Sequence, residues 1–443
     1  MDICNAPTEA DEHTLRVSST AHGHTSPHNT AIRGAREAQV ALLHLLRDVG
    51  RSSDLKPLLR RIEATALRIL GCERLTIFTN EPSTNELHSR YATGTPEIHT
   101  PSDRGIAAAT LREGRMINVH DVTGDPRFYS GIDRQTGYRT RSLLSVPLHG
   151  VGSEITGVLE LLNKSGGTFT PSDEELALTL GSLTEITLQR HGLVDQYREK
   201  QRLEHDLELA RTIQRSLLPS DDPSLAGYEI SAWSRAADAT GGDFYDYFPL
   251  PDGRLGLVVA DVAGHGLAAS LLACETRALI RSAAASGGSL VEIVRSANDL
   301  LYHDLRHERF VVLFLGALDA ETGRLEFVGA GGLTFVCQSG KVRSVEATIP
   351  PLALFPDVPA AAVTEVTLRP EDMVVLATDG FYEWENWSGD QYGLGRLCEQ
   401  IRANALRSPG ELIRSIYRDV SSYGQGVKQV DDLTAMVIRR THT

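Results

Sequence analysis

From residue 37 to 69 the apolar positions Val40, Leu42, Leu45, Leu58, Leu59, Ile62 and Leu67 recur at helical spacing, with an interruption around residues 50–54. That pattern predicts two helices. The period then shortens. Residues 74–79, 86–91, 116–119, 142–147 and 156–163 read as strands, residues 105–114 as a short helix and residues 173–193 as a longer one. Helices alternating with short strands over this span predict one α/β domain of sensor size.

Residues 193–218 contain no Gly or Pro and carry dense mixed charge. Leu203, Leu207, Ala210, Ile213 and Leu217 form an irregular seam, shorter than the three to four heptads of a coiled coil. A surface-lying amphipathic helix and a dimeric signalling helix both fit, and Pro219 ends either one. Strands follow at residues 229–232, 243–249, 255–260, 311–319, 325–329, 333–338, 363–368, 373–377 and 433–439. Helices are predicted at 267–284, 290–305 and 412–422. Runs of strands with segregated helices predict an α+β domain on a mainly antiparallel sheet pair.

A chain of 443 residues accommodates two such domains with a linker. Residues 1–34, rich in Ser, Thr, His and Ala without periodicity, read as a disordered arm. His22, His24 and His28 there lack the acidic or thiol partners of a metal site. The net charge of −14 (44 basic, 58 acidic residues) argues against nucleic acid or an anionic membrane as partner and suits a cation site. Five scattered cysteines predict neither disulfides nor a zinc knuckle. With no long apolar run and no apolar segment behind the first residues, the expected compartment is the cytoplasm.

The candidate chemistry lies in four acidic clusters of the second domain: Thr-Gly-Gly-Asp243-Phe-Tyr-Asp246, Val-Ala-Asp261-Val-Ala-Gly-His-Gly, Leu-Ala-Thr-Asp379-Gly380 and Val-Asp431-Asp432-Leu-Thr. Each falls where a predicted strand starts or stops. Any one alone fits a turn. Four strand-end carboxylates meeting in space would repel one another unless a cation neutralised them. Oxygen-only ligands select a hard divalent ion, Mg²⁺ or Mn²⁺, and two such ions would suit phosphoryl chemistry.

These stretches, in their order, resemble the SpoIIE/RsbU-type serine phosphatases of the PPM (protein phosphatase 2C-like) superfamily. The resemblance also rests on LELARTIQRSLLP (207–219) and FVVLFLGALDAETGRLEF (310–327). It implies an α/β-sandwich phosphatase domain over residues 219–443. It implies that Asp243, Asp261, Asp379 and Asp431 are catalytic metal ligands for two Mn²⁺ or Mg²⁺ ions, aided by the Val262 carbonyl. Gly380 and Asp432 would shape the site, with Glu383 peripheral. The implied substrate is a phosphoserine or phosphothreonine protein, such as an anti-sigma-factor antagonist of a partner-switching pathway. Two departures bear on substrate handling: the family's Asn-Ala-Gly-His-Pro-Pro-like stretch is Gly-Ala-Gly-Gly-Leu-Thr at 329–334, and Ala263 stands where related enzymes place a His. His265, two residues on, suits a helix-entry role better than that of general acid.

Residues 35–192 resemble a GAF domain, through GDPRF (124–128), IDRQTGYRTRSLLSVPL (132–148) and GVLELLNK (157–164). Asn163, Lys164, Phe169, Asp173 and Glu174 reproduce the signature of cyclic-nucleotide-binding members. A Lys at a strand end and an Asp at a helix start also make an ion-pair latch, so a cyclic nucleotide, another small ligand and a purely dimerising role all stay open. The expectation is an α+β protein: a GAF sensor, a linker helix over 193–218, and a GAF-regulated, homodimeric metal-dependent phosphatase. The alternative is a catalytically inactive docking module. A cyclic-nucleotide-cleaving enzyme lacks support, because no His/Asp metal site of that kind is present.

Overall fold

The computed structural model describes residues 27–442 except 53, 82, 96, 151, 153, 306–308 and 359–361. The chain forms two compact units that divide between Glu199 and Lys200.

The first unit runs α1 (Pro27–Arg51), α2 (Leu55–Leu70), β1 (Cys72–Glu81), β2 (Glu86–Ala92), β3 (His99–Pro101), α3 (Gly105–Glu113), β4 (Ile117–Val119), α4 (Gly131–Thr136), β5 (Leu143–His149), β6 (Ile155–Lys164) and the part of α5 (Pro171–Leu217) that precedes Lys200. Its antiparallel sheet has the order β3-β2-β1-β6-β5-β4. Strand alternation sorts the core. Leu75, Ile77, Leu159 and Leu161 pack with Leu59, Ile62 and Leu70 of α2 and Leu180 of α5, whereas Phe78, Leu87 and Val158 pack against α3 on the other face.

The second unit adds β7 (Tyr228–Arg235), β8 (Phe244–Pro249), β9 (Leu255–Val262), α6 (Gly266–Ala285), α7 (Leu290–Leu305), β10 (Val311–Leu318), β11 (Arg324–Ala330), β12 (Thr334–Gln338), β13 (Lys341–Val345), β14 (Thr364–Thr367), β15 (Met373–Ala377), α8 (Gly380–Glu383), α9 (Leu394–Ala403), α10 (Pro409–Tyr423) and β16 (Leu433–Arg440). Two five-stranded antiparallel sheets, β14-β11-β10-β9-β8 and β13-β12-β15-β16-β7, face each other. Leu257, Val259, Phe327, Val374, Met436 and Ile438 fill the space between them. Val258, Ala260 and Val262 point the other way, into α6 and α7, and Val375, Ala435 and Val437 point into α9 and α10. Strands buried on both faces explain the near-continuous apolar runs.

Two expectations need correction, and one strand was not anticipated. Helix α1 begins at Pro27, so residues 27–34 of the expected arm are helical; Pro at a first helical position starts a helix well. The rest of that arm, with His22 and His24, lies outside the described residues. The helices expected at 173–193 and 193–218 are one, α5, because Gly192 is a single weak helix former between strong ones. Strand β13 has no buried residue and so no apolar pattern to reveal it; Ser339 and Gly340, at φ 49° and 74°, make the tight turn that pairs it with β12. The four described cysteines are free. Among the described residues, no helix is long and apolar enough to cross a membrane.

Candidate metal centre

Strand register brings the acidic clusters together. Phe244 pairs with Ala260, so Asp243, just before β8, stands across from Asp261 near the end of β9. In the opposite sheet Ala377 pairs with Ala435, which sets Asp379, two residues past β15, beside the start of β16 that Asp431 precedes. The carboxylates descend from an exposed mouth to a buried floor. Asp431 is exposed, Asp261 and Asp379 are half-buried, and Asp243 is buried at 5% exposure.

The electrostatics follow from that crowding. Burial, then the charges of Asp261 and Asp432, hold the Asp243 carboxyl well above its ordinary range. Burial and Asp379 push Asp261 up to about 7, and burial with Asp431 raises Asp379. Exposed Glu383 is also raised, by burial and then by Asp379 and Asp431, so it borders the same cluster. Asp243 Oδ1 and Asp379 Oδ1 are buried without a hydrogen-bond partner. Unpaired, mutually repelling oxygens in a buried site are costly in a protein alone and suited to a hard cation.

Asp432 acts differently. Its carboxylate accepts from the backbone N–H groups of Ala237 (2.7 Å), Gly242 (2.5 Å) and Asp243 (3.4 Å), clamping the loop that presents Asp243. Gly380 is required by packing, since a Cβ there would strike the Asp432 carbonyl. The Val262 carbonyl lies against Gly242, where a Cβ would come within 2.6 Å of it. Asp246, in the same cluster as Asp243, faces Arg277 (2.9 Å) and Arg281 (2.6 Å) and ties β8 to α6. Exposed His265 occupies the N-cap position of α6 without a side-chain capping bond, and its ring meets Asp238 at 2.9 Å.

Two contributors were not singled out in the sequence. Thr378 Oγ1 donates to Asp243 Oδ2 (2.9 Å) and accepts from Thr434 N (2.9 Å), joining the sheets at the site. A Thr directly before Asp379 and another two residues past Asp432 were the available signal. Gln214 of α5 donates to the Gly241 carbonyl (2.6 Å) and accepts from Gly241 N (3.2 Å); in the sequence it is one polar residue in a helical stripe. A cavity of about 60 Å³ adjoins the centre, lined by Asp261, Thr378, Asp379, Tyr382 and residues 331–334 of the departing loop.

In the first unit the five signature residues form scaffold. Lys164 Nζ bonds Asp173 (2.8 Å) and the Leu70 carbonyl (2.7 Å). Asp173 Oδ2 accepts from Thr170 N and Oγ1. Buried Asn163 bridges Glu73, Tyr138 and the Arg139 carbonyl while accepting from Arg141 N. Asn118 ties the Phe169 carbonyl to Glu174. None of the five lines the cavity of about 50 Å³ enclosed by Thr76, Phe78, Ile98, Thr100, Arg104 and Glu160 among others. Burial pushes Glu160 up to about 7 there.

Comparison with known proteins assigns both units. Residues 251–441 match the family model for Stage II sporulation protein E (SpoIIE), and residues 54–188 match that of the GAF domain. The chain joins a GAF domain to a SpoIIE-type domain. Protein IcfG of Synechocystis sp. is 26% identical over 266 residues, 53% of this chain and 41% of that protein. Phosphoserine phosphatase RsbP of Bacillus subtilis is 27% identical over 182 residues, 40% of this chain and 44% of that protein. The chain therefore spans under half the length of these relatives. Among solved structures, the SiaA-PP2C domain of Pseudomonas aeruginosa aligns at TM-score 0.49 and 23% identity, over 55% of this chain and 98% of that one.

Proposed function

We propose that the SpoIIE-type domain is a metal-dependent protein serine/threonine phosphatase under control of the GAF domain. The observation that carries this reading is the pair of buried, unpartnered oxygens, Asp243 Oδ1 and Asp379 Oδ1, at the meeting point of four strand-end carboxylates. The donor set is all oxygen and fits Mn²⁺ or Mg²⁺. Asp243, Asp261, Asp379, Asp431 and the Val262 carbonyl would hold two ions. Such ions supply Lewis acidity toward a phosphoryl group and lower the pKa of a water. The chain itself orients these ligands: Thr378 fixes one oxygen of Asp243, and Asp432 holds the loop behind it. The exposed mouth at Asp431 and Glu383 leaves room for a phosphoserine or phosphothreonine on a folded protein, and the likeness to a protein named phosphoserine phosphatase supports that substrate class. A small regulatory phosphoprotein of a partner-switching pathway, such as an anti-sigma-factor antagonist, is the substrate proposed.

Control would run through α5, whose Gln214 grips the Gly241 backbone beside Asp243. Movement of that helix would open or close the metal loop. Its exposed Leu203 and Ile213 would pair two chains in a homodimer. A GAF ligand, cyclic nucleotide included, would need the walls of the 50 Å³ cavity to part, since pockets for such molecules start near about 300 Å³.

The test is hydrolysis of an aryl phosphate and a phosphoserine peptide by the full chain with and without Mn²⁺, beside Asp379→Ala. Metal-dependent activity that vanishes with Asp379 supports the phosphatase. Neither turnover nor Mn²⁺ binding would leave a docking module as the reading.

A further inference from the structure

Strand β3 is the edge of the GAF sheet, and its register with β2 places His99 directly opposite His88, with Glu86 two residues along the same face of β2. Among the described residues, Glu86, His88 and His99 are the one set of three metal-competent side chains whose ligand atoms all lie within 4.8 Å of one another. Glu86 Oε2 is 3.3 Å from His88 Nε2 and 3.9 Å from His99 Nδ1, and the two rings meet edge to face at 4.3 Å. Yet His88 Nε2 is buried and makes no hydrogen bond. A tetrahedral shell with metal–ligand bonds of about 2.0–2.1 Å has ligand–ligand edges of about 3.3–3.4 Å, which the His88–Glu86 approach matches. On its other side, His99 Nε2 stands 3.7 Å from Glu97 Oε1. A closing movement of a few tenths of an ångström would bring that carboxylate into hydrogen-bond reach, where it would set the tautomer of a metal-bound imidazole.

We propose that Glu86, His88 and His99 form a site for a borderline divalent metal, Zn²⁺, on the outer face of the β2–β3 edge. Two imidazoles and one carboxylate select Zn²⁺ over the Mg²⁺ or Mn²⁺ suited to the acidic centre. The three protein ligands leave a fourth position for water. Because Ile98 and Thr100, which flank His99, line the inner cavity, the ion pins one wall of that cavity from outside.

The test uses the untagged full chain, stripped of metal, in an Asp379→Ala background that weakens the acidic centre. Zn²⁺ is titrated in competition with a chromophoric chelator. The expected result is one Zn²⁺ per chain, lost in His88→Ala/His99→Ala, with Glu97→Gln about tenfold weaker. Co²⁺ in place of Zn²⁺ should give the intense visible absorption of a four-coordinate ion. Unfolding of the metal-free forms checks that the variants fold; half-exposed His99 also permits His99→Gln should the double variant not fold. Unchanged Zn²⁺ affinity in the histidine variants, or loss only on replacing His22, His24 and His28, overturns the proposal.

Discussion

Both units place carboxylates at the junction of strand and helix, and they treat them in opposite ways. At the GAF latch, each oxygen of Asp173 has a partner: Lys164 takes one, and the Thr170 backbone and hydroxyl take the other. Burial raises the Asp173 carboxyl, but those bonds outweigh it and leave it below its ordinary value. At the acidic centre, Asp243 and Asp379 each keep a buried oxygen unpaired, and both carboxyls are raised. A satisfied carboxylate holds a fold together. An unsatisfied cluster is stable only when something else supplies the charge.

The sharpest way to break this contrast is Asp243→Asn. Loss of one ligand charge should remove several kcal/mol of transition-state stabilisation, about 10³-fold in kcat, while the fold survives or gains stability from relieved repulsion. Steady-state kinetics with Mn²⁺ and thermal unfolding check both halves. Retained activity would place the chemistry elsewhere.

Next comes Glu160, buried and raised from 4.5 to about 7. The unfolded chain loses this proton first, so between pH 4.5 and about 7 the unfolded state binds fewer protons and GAF stability falls as pH rises. The slope should approach about 1.4 kcal/mol per pH unit, and Glu160→Gln should flatten it. Amide exchange of β6 across that range reads it directly.

A smaller effect is expected at the latch. Lys164→Met should cost about 2 kcal/mol of GAF stability, the worth of a charged hydrogen bond. Because the Asp173 carboxyl is held below its ordinary value, that stability is present at neutral pH and lost as pH falls through its folded value, so the variant should also be less acid-sensitive. Mn²⁺ affinity should not change, in contrast to Asp243→Asn. The smallest effect is Gln214→Ala, which removes two bonds to Gly241 and should alter basal activity severalfold, about 1 kcal/mol, with little change in unfolding temperature.

Much of this was legible along the chain because the relevant signals are local. Near-continuous apolar runs marked β9 and β15, period 3.6 marked α2, α6 and α7, and Asp beside Gly marked the strand ends that carry the centre. Strand β13 and helix α9 were not legible: the first is short and only half-buries Val342 and Val345, and the second buries only Leu397 and Ile401. Nor could local pattern separate Asp243 from Asp246, or Asp431 from Asp432. All four are acids near strand ends. Only the neighbours differ: two arginines of α6 neutralise Asp246, and three backbone N–H groups saturate Asp432.

By itself, then, the sequence determined most of the strands and helices, that an α/β unit precedes an α+β unit, and where the acidic tips lie. Tertiary structure alone decided which tips share a site, which are satisfied, and that Glu86, His88 and His99 face one another across β2 and β3. The physical reason is range. Periodicity and capping act over a few residues, whereas whether a polar oxygen is paired depends on groups that register and sheet packing bring from far along the chain, as Ala237 is brought to Asp432 from 195 positions away.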